Sequence, residues 1–174
     1  MAKAKKSVRK SAGTGSRRMR QSTPSDAIAL LKADHRQVES WFDQFQSARG
    51  ESRKGELAEK ICQALKVHTQ IEAEIFYPAF LEVTGEKDIH HEAEVEHDGA
   101  KKLIAEIEAS GPNDDYFAAK VTVLSEMIKH HVKEEEQRDG MFAKARQSKM
   151  DLSELGERLA SRKEQLMGSE EGDR

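Results

Sequence analysis

Cysteine is nearly absent, with Cys62 the single thiol in 174 residues. One thiol excludes an intramolecular disulfide framework and suits a reducing compartment. Proline occurs 3 times, so little interrupts long helices. Aromatic residues make up 5% of the chain, and hydrophobic residues, at 36%, barely exceed charged ones at 35%. That is polar for a globular domain, yet it fits amphipathic helices with solvated faces. No apolar run approaches the ~20 residues of a membrane span. The start, MAKAKKSVRK, is basic but lacks the apolar stretch of a secretory signal. A cytoplasmic chain with no membrane contact is the expectation.

Acid is absent from the first 25 residues, which carry Lys3, Lys5, Lys6, Arg9, Lys10, Arg17, Arg18 and Arg20, a charge of +8. The other 21 of the 29 basic residues face all 32 acids, so the remainder carries −11 although the whole chain stands at −3. The molecule reads as an acidic body with a basic arm. Residues 1–22 have almost nothing to bury and are expected to form a disordered tail. A tail of this charge could contact nucleic acid or an acidic partner through residues 1–20.

Strand alternation is missing, and helical period is everywhere. Structure is expected from Thr23-Pro24, with Thr23 as cap and Asp26 at the positive end of the dipole. Leu31, His35, Val38, Phe42 and Phe45 mark one face of a helix over roughly 24–48. Leu57, Ile61, Leu65, His68, Glu72 and Ile75 mark a second, which Pro78 should close. Ala93, His97, Ala100, Ile104 and Ile107 mark a third, ended by Gly111-Pro112. Phe117, Val121, Leu124, Ile128, His131 and Glu135 mark a fourth, weakening at Gly140. A short fifth starts at Asp151, where Asp151 and Glu154 can form a capping pair. The expected fold is all-α, an up-down-up-down antiparallel four-helix bundle. Its parts are a basic tail (1–22), the bundle (23–147) and a C-terminal helix and tail (148–174).

The seams of this bundle hold the wrong residues for a core. His35, His68, Glu72, His97, His131 and Glu135 stand where apolar side chains belong. Burying an imidazole or carboxylate without a partner costs several kcal/mol. Their order suggests a common cause. His68 and Glu72 share a helix face four residues apart, and His131 and Glu135 repeat the pattern. His35 precedes His68 by 33 residues, and His97 precedes His131 by 34. The acid–histidine pairs Asp34-His35 and Glu96-His97 also correspond. The chain therefore reads as a tandem duplication of a two-helix unit, each giving one His and then His-x-x-x-Glu. Packed antiparallel, the two units bring four imidazoles and two carboxylates to one level.

Imidazole with carboxylate, and no thiolate, suits iron or manganese and suits zinc less well. Two carboxylates between two sets of histidines suit a pair of metals bridged by both. Two octahedral metals offer about twelve positions, of which these six side chains fill about eight. The rest remain for small exogenous ligands, as in a reactive site rather than a closed structural one.

DHRQVESWF, HTQIEAEIFYP, EHDGAKKLI and HHVKEEE, in that order and spacing, resemble the hemerythrin-like HHE cation-binding family over residues 25–146. The resemblance implies a four-helix bundle around a non-haem di-iron centre that handles dioxygen, peroxide, nitric oxide or iron itself. It implies His35, His68, Glu72, His97, His131 and Glu135 as ligands of two iron ions. Peroxide or nitric-oxide consumption is the enzymatic activity it would allow. There is one departure. Oxygen-carrying members have a fifth histidine one turn before the third-helix histidine, and here that position is Ala93. Glu94 and His90 could reach the site from the same side. The loss argues against reversible oxygen carriage.

Neighbouring residues have blander readings. Glu39 belongs to the surface or an outer layer, and Glu134 and Glu136 are solvated. His91 and His130 are exposed, and Cys62 is a small buried hydrophobe. Trp41, Phe42, Phe76 and Phe80 pack around the site. Two alternatives stand beside the di-iron reading. One is an iron-handling or metal-gated regulatory module whose basic tail contacts nucleic acid. The other is a zinc-stabilised bundle without turnover.

Overall fold

The computed structural model describes residues 26–171. The expected basic tail and the Thr23-Pro24 start lie outside them. The first helix, α1 (Ala27–Ser47), is capped by Asp26, whose carboxylate accepts from the Ala29 amide at 2.8 Å. The second, α2 (Glu51–Ile71), does not stop at Pro78. It runs into one π turn (Glu72–Phe76) and on through α3 (Tyr77–Thr84), closing at the left-handed Gly85. Pro78 is tolerated because the shift in register puts it in the first turn of α3. There its missing N–H forfeits no α-helical bond.

The return half is α4 (Lys87–Ser110), closed by Gly111 at φ 72°, and α5 (Phe117–Glu136). A seven-residue helix, α6 (Met141–Gln147), follows where the pattern had only weakened. Gly140 makes that turn. A Cβ there would stand 2.1 Å from the Glu134 carbonyl oxygen and 2.8 Å from that of Glu135. The last helix, α7 (Leu152–Glu171), has 20 residues rather than one short segment, and Asp151 caps it by accepting from the Glu154 amide at 3.0 Å.

The bundle is closed by α1 against α2 and α5, and by α4 against the same two helices. Outside it, α7 lies along α1, α2 and the π turn. No strand occurs among the described residues, and no helix is long and apolar enough to cross a membrane.

The core is split. One apolar cluster joins Val38, Phe42, Leu65, Ala100, Leu124 and Ile128 with their neighbours. The other joins Ile28, Leu31, Phe76, Phe80, Ala93 and Phe142. Trp41 and Phe42 sit with the first, Phe76 and Phe80 with the second. The six polar seam residues are buried and occupy the layer between the two.

Candidate metal centre

Each of the four bundle helices gives this layer its residues by the spacing of one face. His35 comes from α1, His68 from the last turn of α2, His97 from α4, and His131 with Glu135 from α5. Glu72 opens the π turn. His35 and His68 meet through their Nε2 atoms at 3.1 Å, and His97 and His131 do the same at 3.1 Å. The carboxylates join these pairs crosswise. Glu72 Oε2 lies 3.2 Å from His68 Nε2 and 3.3 Å from His97 Nε2. Glu135 reaches His35 Nε2 with one oxygen at 3.4 Å and His131 Nε2 with the other at 3.6 Å. Two groups of donor atoms result, each within 4.8 Å, and Glu72 belongs to both.

Among the described residues, Glu72 Oε1 and Glu135 Oε2 are buried without a hydrogen-bond partner. Two orphaned carboxylate oxygens in one buried layer with four imidazoles are costly in a purely structural layer. They fit a cation, which would satisfy both. The proton distribution agrees. Burial opposes charge on His68, yet the Glu72 carboxylate and Asp34 push it up to about 10. Burial likewise opposes charge on His131, and Glu135 with Glu96 pushes it up to about 9. Their partners His35 and His97 are shifted down, chiefly by burial. Each histidine pair thus holds one proton where a metal would stand. Glu135 is pushed up to about 8 by burial and by the neighbouring Glu72 charge. Glu72 is held well below the usual range by His68 despite its burial.

Three of the four histidines turn Nδ1 outward to a carboxylate, which fixes the ring and leaves Nε2 facing the centre. His35 Nδ1 meets Glu136 at 2.8 Å, His68 Nδ1 meets Asp34 at 3.4 Å, and His131 Nδ1 meets Glu96 at 2.6 Å. The duplicated acids Asp34 and Glu96 therefore serve the second histidine of their own unit, not the adjacent one. Glu136, expected in solvent, holds His35. Its counterpart in the first unit is Ala73, and no such partner is seen for His97 among the described residues.

The sequence reading missed Tyr77. Its buried hydroxyl donates to Glu135 Oε1 at 3.0 Å and lies 3.4 Å from Glu72 Oε2, 3.0 Å from His97 Nε2 and 3.4 Å from His131 Nε2. Burial and both carboxylates push its pKa well above the ordinary tyrosine value. Glu94 and His90 stay outside the two donor groups. Glu94 is 56% exposed and pairs with His90 Nδ1 at 3.5 Å, while the His90 ring packs edge-on against Tyr77. Glu39 pairs with Arg36 on the surface. Cys62 is buried, and burial pushes its thiol up to about 12, so it is inert. Phe142, on α6, stacks on His35 at 5.8 Å.

The family model of the hemerythrin HHE cation binding domain matches residues 26–143, the span that contains the doubled His and His-x-x-x-Glu set. The chain belongs to that family. The fold of an HHE domain is also seen in the crystal structure of a hemerythrin HHE cation binding domain-containing protein from Mycobacterium kansasii. That structure is 24% identical, covers 83% of this chain and 88% of its own, and superposes with a TM-score of 0.70. A DNA nickase from Nostoc sp. (strain PCC 7120 / SAG 25.82 / UTEX 2576) is 28% identical over 107 residues. The match spans 62% of this chain and 30% of the nickase, under a third of that relative's length. This HHE domain is thus a cation-binding helical bundle with its His/Glu cluster between two apolar layers.

Proposed function

We propose that this HHE domain holds two non-haem iron ions and uses them to bind and consume small oxygen or nitrogen species, namely dioxygen, peroxide or nitric oxide. The observation that carries the reading is the crosswise geometry, in which Glu72 and Glu135 each join a histidine of one pair to a histidine of the other. His35 and His68 would hold one ion, His97 and His131 the second, and the two glutamates both. Two adjacent irons would supply electrons to a small ligand. The chain supplies the rest. Asp34, Glu96 and Glu136 orient three of the imidazoles. The two apolar clusters exclude bulk water. The Tyr77 O–H holds a proton beside Glu135 and the second half of the site, on the side where Ala93 offers no donor. Its oxygen is also placed to serve as a further ligand there.

The test is elemental analysis with an absorption spectrum on protein purified without chelators. About two iron atoms per chain and a visible ferric absorption are expected. Reduced protein exposed to air should oxidise without releasing dioxygen when the gas pressure is lowered. Stoichiometric zinc with no visible absorption would overturn the reading.

A second reading has its own observation. The +8 arm of residues 1–25 contains no acid, and a relative carries the name DNA nickase. The arm would then tether the domain to nucleic acid, with residues 1–22 separable from the bundle (23–147) and its C-terminal segment (148–174). Deleting residues 1–22 should leave metal content unchanged, remove most DNA binding and flatten its salt dependence. Equal binding by the truncated chain would exclude the tether.

A further inference from the structure

One helix carries the His-x-x-x-Glu spacing twice, in adjacent registers. His131 and Glu135 use it inward, and His130 and Glu134 use it outward. The outward pair is specific to the second unit, because its counterparts in the first, Val67 and Ile71, are buried hydrophobes. His130 Nε2 stands 3.1 Å from Glu134 Oε1 and 3.4 Å from Glu96 Oε1, on the neighbouring α4. The three donor atoms lie within 4.8 Å of one another, and the two carboxyl groups are themselves in contact.

The charge balance around Glu96 differs from that of the other carboxylates that hold ring nitrogens. Asp34 is paired with Lys163, and Glu136 with Arg36 and Lys32. For Glu96 and Glu134, no lysine or arginine ion pair is seen among the described residues. Their ionic partners are His130 and His131. His130 is 63% exposed, so a cation from solvent can reach all three groups.

The place also matters. A cleft of about 90 Å³ is lined among others by Glu92, Ala93, Glu96 and Glu134 and by the buried His131 and Glu135, while His130 stands outside it. That is room for a few waters, at about 30 Å³ each. The lining thus joins two carboxylates of the outer cluster, Glu96 and Glu134, to His131 and Glu135 of the buried centre.

We propose that Glu96, His130 and Glu134 form a third cation site, for one divalent transition-metal ion, through which the buried pair is loaded. One imidazole nitrogen and two carboxylate oxygens suit manganese, iron or zinc. They suit calcium or magnesium poorly, since those take all-oxygen sets. Water completes the coordination at the open side. Glu96 ties the site to the centre, since its other oxygen holds His131 Nδ1. The loading role rests on the proposed di-iron pair; the third site does not.

The test uses the full chain with its buried pair filled with iron and excess metal removed, titrated with Mn²⁺ and followed by the resonance of the free ion. One further equivalent should bind. In the His130→Ala, Glu134→Gln double variant its affinity should fall about tenfold or more, because lost ligands cost at least what lost outer partners do. The same variant should keep two irons at equilibrium but fill them severalfold more slowly when metal-free protein is mixed with Fe²⁺. Absence of a further equivalent in the natural chain, or equal Mn²⁺ affinity in the variant, would overturn the site. An unchanged filling rate in a variant that has lost the third equivalent would overturn the loading role. A natural chain that takes up no iron pair would overturn the proposed function and leave the Mn²⁺ arm, run on metal-free protein, to decide the third site alone.

Discussion

The two halves of the buried centre share their residue types and the acid on the second histidine, and differ in the charge balance around them. In the first half, His35 and His68 are each held by a carboxylate, and each carboxylate is neutralised by a lysine or arginine. Phe142 stacks on His35, and α7 reaches the site through Lys163 and Asp34. In the second half, His131 has Glu96, whose described partners include no lysine or arginine. Ala93 contributes nothing, and the Tyr77 hydroxyl enters instead. The lesson is that one repeated His and His-x-x-x-Glu pattern can sit in two unlike surroundings, one charge-balanced and one not.

The largest effect tests whether the halves are one unit at all. Glu72→Ala removes an oxygen from both donor groups, so both metals should be lost, as read by elemental analysis of the folded variant. Retention of one full equivalent would mean that the halves bind independently. His68→Ala and His131→Ala should also lower the content sharply, while Glu39→Ala should leave it unchanged.

Acidity should act on both halves alike. In the metal-free protein His68 is raised to about 10 and His131 to about 9, so each pair carries a proton at pH 7. Metal must displace both protons, so lowering the pH opposes binding and raising it favours binding until those values are passed. Between pH 6 and 8 the two imidazolium protons alone should make the affinity for a metal pair rise by about a hundredfold per pH unit, and the Glu135 proton steepens the rise below about 8. Competition against a chelator of known protonation measures this. A flat profile would show that the imidazoles are already neutral. For stability of the metal-free fold the sign is the reverse. The raised histidines contribute fully below their ordinary value near 6.5 and lose that contribution as the pH rises through about 9 to 10.

Outer partners should then separate the halves. Glu136→Gln weakens the carboxylate that holds His35, and the first half alone should lose about tenfold in affinity. Lys163→Met, one contact further out, should cost only severalfold. Equal losses in both halves would erase the distinction.

Tyr77→Phe is read on a separate scale, the stability of the metal-free chain. It leaves Glu135 Oε1 without its 3.0 Å donor, which should cost about 1–3 kcal/mol in denaturant unfolding. In the iron-loaded protein the variant should alter the visible absorption, and an unchanged spectrum would remove Tyr77 from the second half of the site.

The sequence by itself carried the four bundle helices and the faces on which the six His and Glu residues lie, but not the continuation past Pro78, α6 or the length of α7. Helical period places residues four apart on one face, and charged groups on a buried face need a shared partner such as a cation. It also showed that Ala93 breaks the pattern. It could not show Tyr77. Five residues after Glu72 in a straight α-helix, Tyr77 would point about 140° away from the seam. The π turn bonds the Tyr77 amide to the Glu72 carbonyl and stacks residues five apart, which turns the phenol inward. Nor could sequence proximity assign the outer carboxylates. Asp34 precedes His35 but serves His68, and Glu96 precedes His97 but serves His131, because a residue beside a ligand on a helix points roughly 100° away, toward the neighbouring helix. Periodicity is a property of one helix, and the sequence carries it. Which carboxylate meets which ring, and which half of the centre is neutralised, depends on contacts between helices, and only the packed bundle decides those.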